Sequence, residues 1–150
     1  MQSGDIVENT FLIPKIIADK INFIINYEIN EREILIFNMA LSAVENGIKK
    51  DNLNNLNRTN VVFTQNGSFY FSQKRDDVFG MHCNFCIYAM ETLRKTENEY
   101  FVLVTFIEEL VHHFWGIEDE VAVKYKVVEI AQTVEPKVTL DMLKGWGLKI

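Results

Sequence analysis

Asn66-Gly67 stands between two β-prone runs, NVVFT and SFYFS, and constrains the fold of this 150-residue chain more than any other local feature. A two-residue type I′ turn needs positive φ at both central positions, and Asn-Gly supplies them at low steric cost. The sequence therefore predicts a β-hairpin over residues 60–73, with Phe63, Phe69 and Phe71 on one apolar face. A hairpin alone is marginal in water and must bury that face against other elements.

Helical periodicity offers those elements. In residues 11–29, Ile13, Ile16, Ile17, Ile21, Ile24 and Ile25 recur at helical spacing, and Pro14 suits a first turn. Asn30 and Glu33 read as a capping box for a second helix, with Gly47 as its C-cap, so that residues 11–48 would form a helical hairpin. Residues 49–59 are polar and Asn-rich and read as a loop, and KRDD, 74–77, as a turn. Residues 78–90 are apolar without a clear period. A third strand at 79–83 leading into a helix, or a strand through 89, both fit. Thr96 and Glu99 suggest a capping box for a long helix over about 97–115, ended by Gly116. A further helix is expected from about Glu118, and a last short one after Thr139. The fold class is α+β in a single domain: a small antiparallel sheet, built on the 60–73 hairpin, packed against several helices.

Charge and hydropathy exclude several functions. The net charge is −6 with no basic cluster, which disfavours binding to nucleic acid or to an anionic membrane surface. MQSGDIVENT has neither the basic nor the apolar stretch of a signal peptide, and no apolar run approaches the roughly 20 residues of a membrane span. A cytoplasmic location is expected, with both cysteines reduced.

The chemistry-bearing stretch is FIEELVHHFWGIEDE, 106–120. At 100° per residue Ile107, Leu110, Val111 and Phe114 share a core face, while Glu108 and His112 lie together on a flank as an i,i+4 pair. Glu109 and His113 are a second such pair, and the acids after Gly116 are positioned to fold back over the first.

EELVH at 108–112, followed by GIEDE, resembles the active-site helix of the zincin metallopeptidases, whose signature is HExxH with a later acidic ligand. The resemblance covers about residues 60–132. It implies that Glu109 is the general base, that His112 binds zinc, and that Glu120, or Asp119 in its place, is the third ligand. Position 108 departs from the motif, being Glu where the family has His. A carboxylate can bind zinc, which makes Glu108, His112 and Glu120 a conceivable set. The anion would lower the Lewis acidity of the metal. The resemblance thus implies a metal-dependent peptidase or hydrolase with an impaired site, or a non-catalytic module that binds a peptide or protein on the same scaffold. A di-iron carboxylate reading of Glu109-x-x-His112 ranks lower, since the chain has one such motif where that family has two. The plainest reading is an exposed i,i+4 pair worth about 0.2–0.5 kcal/mol.

Secondary candidates are His113, His82, Cys83 and Cys86. Cys83-x-x-Cys86 beside His82 is half of a possible zinc site, though buried core thiols are the favoured reading. Lys124 and Lys126 read as a solvated face, with Tyr125 between them packing inward, and Trp146 as a packing anchor.

Overall fold

The computed structural model describes residues 11–70 and 79–150. After a 3-10 turn at Lys15–Ile17, the chain forms β1 (Ile21–Ile25), α1 (Glu31–Asp51), β2 (Thr59–Thr64) and β3 (Phe85–Ala89). Four helices follow: α2 (Met90–Lys95), α3 (Glu99–Trp115), α4 (Glu120–Ala131) and α5 (Leu140–Gly145). The class is α+β, but the sheet corrects the expectation. Among the described residues it has three strands in the order β1-β2-β3, and both pairings are parallel.

The 60–73 hairpin is not formed as expected. β2 is the central strand, with Val61 level with Phe23 on one side and Cys86 on the other, so both of its edges are taken by parallel partners. Residues 65–70 contain no strand, and 71–73, like the expected turn at 74–77, lie outside the described residues. Asn66-Gly67 still turns the chain. Gly67 has φ of 92°, its N–H donates to the Thr64 hydroxyl at 2.7 Å, and Ser68 N–H donates to the Asn66 side chain at 3.1 Å. These contacts satisfy the turn locally, with no returning strand among the described residues.

Residues 11–29 are not a helix either, and no helical hairpin spans 11–48. Pro14 opens the 3-10 turn, and Ile21, Phe23 and Ile25 then alternate along β1. α1 is the crossover that parallel strands require. Its capping box is as predicted, with Asn30 accepting from Glu33 N–H and Glu33 from Asn30 N–H. It runs on through Gly47 and ends at Asn52, which takes the left-handed conformation at φ 49°. Gly47 is a packing residue: a Cβ there would lie 2.6 Å from Ile130 Cγ2 and 3.0 Å from the Trp115 ring.

The third strand is at 85–89, which fits the alternative of a strand through 89 and not the one at 79–83, and α3 is capped by Asn98, not Thr96. α4 begins at Glu120 with Asp119 as its cap, and α5 is capped by Thr139 as expected. One sheet face, carrying Phe23, Phe63, Cys86 and Tyr88, packs on α1 and α3 through an aromatic cluster with Phe11, Phe37 and Phe106. The Tyr88 hydroxyl donates to the Phe106 carbonyl at 2.7 Å, which ties β3 to α3 and fixes the flank on which Glu108 and His112 project.

Candidate functional site

α3 buries Ile107, Leu110 and Val111 as its periodicity requires, leaving Glu108, Glu109 and His112 half-buried on its flank. Gly116, at φ 66°, terminates the helix and turns the chain back. The turn is held by the site itself, since His112 Nδ1 lies 2.5 Å from the Ile117 carbonyl. With Nδ1–H donating there, Nε2 is the free nitrogen. It faces Glu120 Oε1 at 3.6 Å and Glu108 Oε1 at 3.9 Å.

Among the described residues, Glu108, Glu109 and His112 bring ligand atoms within 4.8 Å of one another and form a group able to hold a cation. Two ligands about 2.1 Å from a tetrahedral zinc are roughly 3.4 Å apart. The Nε2 separations above are close to that edge. A backbone carbonyl fixing the second imidazole nitrogen is also the usual support of a histidine ligand.

The fifth residue of the cluster changes its chemistry. Lys124, one turn along α4 from Glu120, reads in the sequence as solvated, but its side chain is only 8% exposed. Its ammonium donates to Glu108 Oε1 at 3.0 Å and to the Glu120 carbonyl at 3.2 Å, and stands 3.7 Å from Glu120 Oε2. A zinc bound to the same Glu108 oxygen would lie within about 5 Å of that ammonium. The repulsion between charges of +2 and +1 at that distance is on the order of 6 kcal/mol at an effective dielectric of about 20. That is roughly four powers of ten in affinity relative to the same cluster without the lysine. Moving the ammonium away would break its contacts to both Glu108 and Glu120.

Glu109 differs from its neighbours. Its carboxylate makes no hydrogen bond among the described residues, and burial pushes its pKa up, against a smaller opposing pull from His112. Asp119 caps α4 through Oδ1, which accepts from Val121 N–H at 3.0 Å and Ala122 N–H at 2.6 Å, and it does not belong to the cation-holding group.

The remaining candidates lie apart. His113 Nε2 contacts the Asn57 carbonyl at 2.8 Å, tying α3 to the loop before β2. His82 is exposed, Cys83 is half-buried and free, and Cys86 is buried and free. The Cys86 thiol contacts the Thr59 hydroxyl and the Glu109 carbonyl, each at 3.5 Å, and burial pushes its pKa up to about 11. None of these four belongs to the cation-holding group. Lys126 pairs with Asp51 at 2.8 Å and with Glu129, while Tyr125 points outward at 52% exposure. Trp146 packs on Phe101 as an anchor. For Lys124, the spacing Glu120–Lys124, i and i+4, is the one signal the sequence holds.

Compared with known proteins, the chain matches no family model, no curated protein and no solved structure. No helix among the described residues is long and apolar enough to cross a membrane.

Proposed function

We propose that this chain is a non-catalytic protein-binding module, and that Glu108, His112, Glu120 and Lys124 form an ion-paired clasp between α3 and α4. One observation carries the reading: the nearly buried Lys124 ammonium lies 3.0 Å from Glu108, holding a positive charge against the oxygen that a metal would need to take. Tyr70 and Phe79 are each 98% exposed, and Leu12 and Leu35 are exposed on and beside α1. The protein-binding half of the proposal takes such groups as contact residues, since exposed apolar groups mark a partner surface where they gather into one patch. A second reading, a zinc-dependent hydrolase using Glu108, His112 and Glu120 as ligands and Glu109 as base, draws on the Nε2 separations of 3.6 and 3.9 Å and the anchored Nδ1.

Calorimetric titration of zinc into Lys124→Met and wild-type protein separates the two readings. The clasp predicts that the variant binds zinc at least a thousandfold more tightly than wild type. Tight wild-type binding that the substitution leaves unchanged, and that His112→Ala abolishes, would instead establish the metal site.

A further inference from the structure

We infer that the cleft between the N-terminal half of α1 and the α2–α3 turn is a docking site for a basic, aliphatic segment of a partner protein. The inference rests on reading the chain as a binding module. The main cleft holds about 670 Å³, with an apolar floor of Ile36, Met39 and Leu103. An adjoining cleft of about 220 Å³ shares Arg32, Ile36, Glu97, Asn98 and Glu99 with it. Together their lining follows α1 from Asn30 to Met39. At 1.5 Å per helical residue that is about 14 Å, the span of roughly four extended residues. The length suits a peptide better than a single small amine.

The rim sets the charge of the occupant. Arg32 is already bound to Glu99, with its Nε 2.8 Å and its Nη2 2.5 Å from Oε2. Arg94 is likewise bound to both oxygens of Glu33 at 2.7 Å. Each guanidinium at the cleft therefore has its own carboxylate, and two acids remain. The Glu97 carboxylate makes no hydrogen bond or ion pair among the described residues, and that of Glu135 accepts only from the Lys137 N–H, at 3.2 Å. Two uncompensated carboxylates above an aliphatic floor complement side chains with a long apolar stem and a cationic head, which are those of arginine and lysine. An acidic segment would meet like charge at the same positions.

The test is fluorescence polarisation with a labelled Leu-Arg-Leu-Arg-Leu peptide and a Leu-Glu-Leu-Glu-Leu counterpart. The basic peptide should bind saturably and more weakly as salt rises. Glu97→Gln with Glu135→Gln should weaken it about three- to tenfold, the scale of two exposed ion pairs. Single Glu97→Gln should fall between, and Tyr125→Ser, exposed on α4 and outside the lining of both clefts, should leave binding unchanged. The site is refuted if the basic peptide does not saturate, if the acidic peptide binds equally, or if the double variant, shown folded by circular dichroism, binds as wild type. Competition by arginine amide as effective as by the peptide would make it a small-amine site and overturn the peptide assignment. The zinc titration does not involve this cleft, so failure here and failure of the module reading are told apart.

Discussion

Breaking the clasp from either side should cost more than breaking it from both. Glu108→Gln keeps an amide oxygen able to accept from Lys124 but removes the nearer carboxylate, so the nearly buried ammonium is left with the Glu120 carboxylate, 3.7 Å away, as its charge partner. Removing one partner of a fully buried pair costs about 3–5 kcal/mol. Because Glu120 remains, the expected loss is smaller, about 2–3 kcal/mol. Lys124→Met leaves Glu108 beside Glu109 with His112 Nε2 at 3.9 Å as its nearest partner, and should cost about 1–2 kcal/mol. With both changes no charge is stranded and the methionine fills the lysine's aliphatic path, so the double variant should lie within about 1 kcal/mol of wild type. The coupling is then about 2 kcal/mol or more. Urea unfolding of the four proteins at pH 7 and fixed salt measures it. Additivity within about 0.5 kcal/mol would show that the pair behaves as an ordinary screened surface pair, and the reasoning from its burial would fail.

Glu109→Gln should raise stability at neutral pH, seen as a higher Tm, because burial already disfavours the charged carboxylate and nothing bonds to it among the described residues. Cys86 should make the fold alkali-sensitive. With its folded pKa raised to about 11, its contribution is complete below the unfolded thiol's pKa and is lost as pH rises from about 9 to 11, so Cys86→Ala should flatten that part of a stability–pH profile. Gly47→Ala should destabilise the protein by about 1–3 kcal/mol in chemical denaturation despite alanine's better helix propensity, since its Cβ would meet Ile130 at 2.6 Å.

What the sequence makes legible is local. The Asn30–Glu33 box, the Gly116 stop and the Thr139 cap are short-range patterns, and each is found where expected. Sheet topology is not legible, because parallel partners lie far apart: Asn22 meets Asn60, 38 positions away. The Asn-Gly turn forms, but no local signal reports which strand its neighbour will pair with. INFII, five residues with isoleucines at both helical and alternating positions, cannot be assigned by period. At the site, helical spacing places Glu108 with His112, as observed. The burial of Lys124 escapes the sequence because it depends on α4 folding back across α3, a tertiary fact that an i,i+4 pattern on one helix does not contain.

Equilibrium dialysis of wild-type protein against micromolar zinc, followed by elemental analysis, tests the central claim most directly. If the Lys124 ammonium keeps a metal from the cluster, the protein retains far less than one zinc per chain. One zinc per chain, lost in His112→Ala, would contradict the clasp and make the cluster a metal centre.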